Sequence, residues 1–223
     1  MRFRICQPTL GFDGPLTVAM NLRGIELFTD MYEYPPYFRR LLEFIQKGVS
    51  IRTRELHRYF GRTPFEGPSG GLADDAIALL SVDSYRQHVL ELHKAWYAQW
   101  SVQGPHQIHL CGDASRHFPI LHKECNVFSF DTGFPIDHGA VRRAIGPDVQ
   151  IFGGPEVSLL LSGSAQQVYD RTLQILQSGI MEGGRFIIRE ANNLPPNVPE
   201  ENLQAMYKCC LEHGTYPTGE NNG

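Results

Sequence analysis

From residue 107 to residue 190 the chain alternates short apolar runs with segments of helical spacing, and this rhythm restricts the fold more than any other feature. QIHLC (107–111) precedes a helix-like stretch over 118–123, and NVFSFD (126–131) precedes HGAVRRAI. VQIFGG (149–154) precedes the segment 164–179, and RFIIRE (185–190) precedes a last helix opened by Pro199, Glu200 and Glu201. Strand, helix, strand alternation produces parallel strands joined by right-handed crossovers. Ser164-Ala165-Gln166-Gln167 has the spacing of a capping box, with Val168, Ile175 and Leu176 as its apolar face and Gly179 as its stop. Earlier in the chain, 3–6 and 69–73 read as strands, 36–49 as a helix with Leu41, Leu42, Ile45 and Val49 on one face, and 82–100 as a single long helix. The expected total is about six strands, whereas a (β/α)8 barrel needs eight and about 250 residues. The pattern therefore predicts an α/β fold: an open doubly wound sheet, or a TIM-barrel-like (β/α)8 fold left incomplete at about six βα units.

A chain of 223 residues supports one sizeable core, so a single domain over 1–216 with a disordered tail at 217–223 is the default. The net charge of −4 carries no basic stripe, which argues against a nucleic-acid partner, and Arg39-Arg40 and Arg142-Arg143 read as solvated helix faces. Five scattered cysteines lack the density of a secreted disulfide framework. No apolar run is long enough for a membrane span, and MRFRICQPTL lacks the core of a signal peptide, so the expectation is a cytoplasmic protein.

In parallel α/β proteins, sites gather beyond the carboxyl ends of the strands. Polar residues follow nearly every expected strand: Asp74 and Asp75, then Cys111 and Asp113, then Asp131, then Glu156 after Gly153-Gly154, then Arg189, Glu190, Asn192 and Asn193. Asp74 and Asp75 read either as a carboxylate pair for acid or base chemistry or as a solvated turn. Asp131 reads as a rim residue or a helix cap, and the double glycine as a close-approach site or a turn. His109 and Cys111 fall on one face of a strand, a spacing that suits two zinc ligands or a buried strand end. Glu190 and Asn192 share a face if their strand continues. His57, His88, His93 and His122 lie in helical stretches and read as surface residues. Trp96, Tyr97 and Trp100 read as packing, and one thiol of Cys209-Cys210 as buried.

The ordered series GFDGPLTVAMNLRG (11–24), GGLADDAIALLSVDSYRQHVL (70–90), HLCGDAS (109–115), FSFDTG (128–133), VQIFGGPEVSLLLSGSAQQV (149–168) and NNLPPNVPEENLQAM (192–206) resembles the uroporphyrinogen decarboxylase (URO-D) superfamily. That superfamily joins porphyrinogen decarboxylases of tetrapyrrole biosynthesis to cobalamin-linked methyltransferases. The resemblance implies a (β/α)8 barrel whose N-terminal third has no counterpart here. Sheet edges left open in this way would offer a docking surface to a second copy or a completing chain.

Each branch implies its own site on a small-molecule substrate. A decarboxylase would need no cofactor and would place Asp74, Asp75 and Asn192 at the reaction, with Asn21, Arg23, Asp131, Glu156, Arg189 and Asn193 around the substrate. Asn21 stands where that branch has a tyrosine, and Ala191-Asn192-Asn193 where it has a histidine between glycines. A methyltransferase would bind zinc through His109 and Cys111 and work with a corrinoid protein. Its third ligand, a last-strand cysteine, is Asn192 here, which leaves Glu190 as the expected third ligand. A non-catalytic barrel fragment is the reading from outside enzymology.

Overall fold

The computed structural model describes residues 13–61, 71–100 and 104–216. The expected strand at 3–6 and the expected tail at 217–223 lie outside those residues. The chain divides into two compact units: residues up to His109 with Lys123–Val127, and Leu110–His122 with everything from Phe128.

In the first unit, α1 (Pro15–Arg23), α2 (Glu26–Glu33) and α3 (Pro35–Tyr59) lead into the short strand β1 (Leu72–Ala73), followed by a 3-10 turn over Asp75–Leu79. Helices α4 (Val82–His88) and α5 (Leu90–Trp100) then lead to β2 (His106–Leu110). α3 buries Phe38, Leu42 and Ile45 at helical spacing and runs ten residues beyond the expected end at 49, through a stretch free of glycine and proline. The expected single helix over 82–100 is two helices. Ser81 caps the first by accepting from the Ser84 N–H, and the break falls at Val89, whose φ of −121° is not helical.

β1 and β2 are parallel, with Leu72 opposite Ile108 and Ala73 opposite His109. On the outer side of β1, Asp13 forms a parallel bridge to Ala73, and the Gly14 N–H donates to the Ala73 carbonyl. Trp96, Tyr97 and Trp100 are buried, as their spacing predicts.

The second unit contains the greater part of α6 (Phe118–Cys125) and of β3 (Val127–Thr132), then α7 (His138–Ile145), β4 (Gln150–Gly153), α8 (Val157–Ser162), α9 (Ala165–Ile175), β5 (Phe186–Ile188) and α10 (Glu200–His213). β3 pairs parallel to β4, and β4 to β5. The capping box is present at α9: Ser164 accepts from the Gln167 N–H and the Gln167 side chain from the Ser164 N–H. α9 ends in a π-type turn that carries Gly179 at a φ of 91°. α10 packs on α9 and buries Cys209, whereas Cys210 is half-buried.

In the first unit β1 and β2 are parallel neighbours, and in the second β3, β4 and β5 are parallel neighbours in chain order, the arrangement that right-handed βαβ crossovers produce. Among the described residues no helix is long and apolar enough to cross a membrane.

Arg142 departs from expectation. It is 1% exposed rather than solvated, and its guanidinium donates to four backbone carbonyls: Ile180 (3.0 Å), Gly146 (2.8 Å), Val149 (2.7 Å) and Arg185 (3.2 Å). It thus ties α7 to the start of β4 and to the approach to β5. A cation on a helix looks solvated in sequence, but here loop carbonyls replace its water. Arg142→Met should leave these carbonyls unsatisfied and cost about 4 kcal/mol in urea unfolding.

His138, at the first turn of α7, is 5% exposed, and its Nε2 has no hydrogen-bond partner among the described residues. Burial, helped by the Arg171 charge, pushes its pKa from 6.5 down to about 4. Between those two values the unfolded chain binds the extra proton and the folded chain does not, so stability must fall as pH falls from 6.5 toward 4. His138→Phe keeps a ring against Phe186. It should remove this component, on the order of 3 kcal/mol, from the stability measured across that window.

Candidate functional site

The best-defined polar cluster of the first unit starts at Asp74. Its residue is 0% exposed, and its oxygens accept from the N–H groups of Thr17 (2.7 Å) and Leu16 (3.4 Å) at the start of α1. Nε2 of His93 lies 2.9 Å from the same carboxylate, and Nδ1 of His93 lies 3.0 Å from the Tyr85 hydroxyl. Both His93 and Tyr85 are 0% exposed, which overturns the expectation that His93 is a surface residue. Gly14 is required here because a Cβ at that position would collide with the Asp74 carboxylate.

Asp74 and Asp75 therefore have different environments, and neither the carboxylate pair nor the solvated turn describes them. Asp74 is enclosed, whereas Asp75 is half-buried at the start of the 3-10 turn. The turn is pinned by the Ala76 N–H, which donates to the Thr17 hydroxyl at 3.0 Å, and by the Ile77 N–H, which donates to the Asp74 carbonyl at 3.1 Å. A carboxylate oxygen of Asp75 and an imidazole nitrogen of His109 lie within 4.8 Å of each other. Their proximity follows from register. His109 is the β2 partner of Ala73, so the residues that follow β1 emerge beside it.

Cys111 stands two residues after His109, just beyond β2. In the second unit its Sγ lies 3.2 Å from Nδ2 of Asn192. The Asn193 N–H donates to Oδ1 of Asn192 at 2.8 Å, which holds the amide with its NH2 toward the sulfur. Asn192, where the methyltransferase resemblance implies a cysteine, thus reaches the thiol as an amide donor.

Glu190 does not complete this group. β5 ends at Ile188, so Glu190 and Asn192 do not follow strand alternation, and Glu190 instead accepts from Arg189 at 2.9 Å. The same guanidinium reaches Asp131 at 3.3 Å. Asp131 lies within β3 rather than at a helix cap, a role Asp137 fills by accepting from the Ala140 N–H. Glu156 precedes α8 and is gripped by Arg171 at 2.7 to 3.2 Å. Burial raises the Glu156 carboxyl, but the Arg171 bonds outweigh it and leave the pKa below its ordinary value.

Asn21 and Arg23 lie toward the C-terminal end of α1, and Arg23 is committed to Asp30 at 2.7 Å. The double glycine serves packing rather than a ligand: a Cβ on Gly154 would overlap the Arg189 carbonyl oxygen.

The first unit thus offers an oxygen donor from Asp75 beside a nitrogen donor from His109, and Cys111, two residues farther along the chain, carries a sulfur. Sequence reasoning named all three, but assigned Asp75 to acid or base chemistry. It missed His93, although 93, 96, 97 and 100 share one helical face and the last three were read as core.

A family model for uroporphyrinogen decarboxylase (URO-D) matches residues 7–213. A solved structure of a methyltransferase from Methanosarcina mazei superposes with a TM-score of 0.68 at 18% identity, covering 92% of this chain and 58% of that one. The chain therefore spans a little over half the length of that methyltransferase, and the likeness is one of fold. No curated protein sequence matches. With the family match running through nearly all of the chain, the chain belongs to the uroporphyrinogen decarboxylase (URO-D) family.

Proposed function

We propose that the chain carries a metal-dependent methyl-transfer centre of the methyltransferase branch, with Asp75, His109 and Cys111 as its ligands. The observation that carries this reading is the Asp75 carboxylate beside the His109 imidazole, with Cys111 two residues farther along. Carboxylate, imidazole and thiolate are each established zinc donors, and three protein ligands with an open fourth position define a catalytic site. Zinc–ligand bonds of about 2.0–2.3 Å place donor atoms roughly 3.3–3.8 Å apart. The Asp75 and His109 donors, within 4.8 Å of each other, need only a small side-chain adjustment to reach that spacing. A bound zinc ion would hold a thiol substrate as its thiolate, the form that accepts a methyl group.

The protein's own residues divide the remaining work. Asn192 donates to Cys111 and so occupies one lone pair of the sulfur, leaving the others for a metal. Arg189 is held by both Asp131 and Glu190, so its guanidinium is already paired at the neighbouring rim. The methyl donor on this reading is a corrinoid protein, as the resemblance implies. The thiols of Cys125, Cys209 and Cys210, none in a disulfide, suit a reducing, cytoplasmic setting.

The decarboxylase reading is less well supported. Uroporphyrinogen brings four acidic side arms, and an anionic substrate needs guanidinium groups to receive them. Arg23 already binds Asp30, Arg171 binds Glu156, and Arg189 binds Asp131 and Glu190. A substrate carboxylate would have to displace a protein carboxylate at each of these arginines.

Metal analysis tests the reading. The protein should take up one equivalent of zinc, and with cobalt(II) it should develop a thiolate charge-transfer band. His109→Ala and Cys111→Ser should each abolish stoichiometric binding, and Asp75→Asn should weaken it by about tenfold or more. Asn192→Cys should strengthen it by supplying the missing thiolate. Metal-free protein that turns over uroporphyrinogen would overturn the proposal.

A further inference from the structure

The chain Tyr85, His93, Asp74 reaches Asp75 without containing it, and its geometry suits the orientation of that side chain. A carboxylate can only accept hydrogen bonds, so Nε2 of His93 carries the proton directed at Asp74. Nδ1 of the same ring pairs with the Tyr85 hydroxyl. Every polar atom of the three side chains' contact is matched, in a region where all three residues are 0% exposed.

The opposite side of Asp74 is equally determined. Its oxygens receive the Leu16 and Thr17 amides at the start of α1, where the helix dipole favours negative charge. The Thr17 hydroxyl in turn receives the Ala76 N–H. Asp75 is thus flanked on both sides by residues fixed to α1, and on one side also to α5. A backbone held at i−1 and i+1 leaves its side chain few directions, and β1 register aims it toward His109.

We infer that Asp74, His93 and Thr17 are positioning residues that set the Asp75 carboxylate for metal binding. This inference rests on the metal-binding reading above. It removes Asp74 from the reacting groups, since its oxygens face the protein interior and are occupied there. The pattern matches the general rule that residues behind a metal ligand orient it, with losses of about 10- to 100-fold in metal affinity when they are removed.

Cobalt(II) binding by the full chain provides the test. Three readouts apply: the dissociation constant by chelator competition, the d–d absorption envelope that reports coordination geometry, and the thiolate charge-transfer band that reports Cys111. His93→Leu should weaken binding about 10- to 100-fold and alter the d–d envelope while the charge-transfer band persists. His93→Gln, whose amide can donate to Asp74 near the Nε2 position, should restore both affinity and envelope. A residue that only stabilises the fold would shift the urea midpoint and leave the envelope of the folded protein unchanged.

Thr17→Val preserves volume and removes only the bond to Ala76. It keeps the test decisive if His93→Leu does not fold, and it should shift the envelope in the same direction. Wild-type affinity and an unaltered envelope in both His93→Leu and Thr17→Val would overturn the positioning role while leaving the metal site standing. A wild-type protein that binds no cobalt would overturn both.

Discussion

The first unit depends on a buried carboxyl group. Carboxyl oxygens left without partners in a protein interior are costly. Those of Asp74 collect two amides at the start of α1 and the imidazole of His93, itself held by Tyr85. These bonds join segments far apart in sequence: the start of α1, the end of β1, α4 and α5. Removing any one donor leaves a buried oxygen less satisfied, so these elements must assemble together. Gly14 follows from the same constraint, since only a residue without a Cβ lets α1 begin against the carboxylate.

Local rules with a short physical range were legible in the sequence. The strand rhythm after residue 107, the Ser164 capping box and the buried face of α5 each depend on residues within one or two turns, and each is present. Features set by distant partners were not legible. Nothing local breaks the helix over 82–100, yet it is interrupted at Val89, between Tyr85 and His93. In a straight helix, positions eight apart lie about 12 Å apart along the axis. Here the two side chains meet at 3.0 Å. Arg142 shows the same limit, because its partners are carbonyls of loops whose approach no periodicity describes.

At the site, motif spacing located His109, Cys111 and Asn192, and the structure brings the last two into contact. It did not identify the neighbour of His109. That depends on which strand lies beside β2 and in what register, and a single sequence contains no register. Glu190 suits the site only if the strand runs through residue 190, as RFIIRE suggests, but β5 ends at Ile188. Once the strand stops, adjacent residues are no longer forced to opposite faces, and Glu190 turns to Arg189. His93 was recoverable: a histidine on a buried stripe needs hydrogen-bond partners, and an aspartate at a strand end can supply one.

The exchange of a cysteine for Asn192 has a chemical consequence in the proposed centre. A histidine and two thiolates, the set implied by the methyltransferase resemblance, carry two negative charges. Asp75, His109 and Cys111 carry the same two, so a divalent ion is balanced equally in both. The donors differ in softness, however. A carboxylate oxygen donates less electron density to the metal than a thiolate sulfur does, and the Asn192 amide draws further density from the thiolate that remains. On the proposed reading, an ion so held would be the stronger Lewis acid and would bind an incoming thiolate more tightly. Tighter binding would lower the pKa of a thiol substrate but also reduce the nucleophilicity of its thiolate. The substitution would therefore favour capture of a thiol at neutral pH over the speed of a transfer that follows.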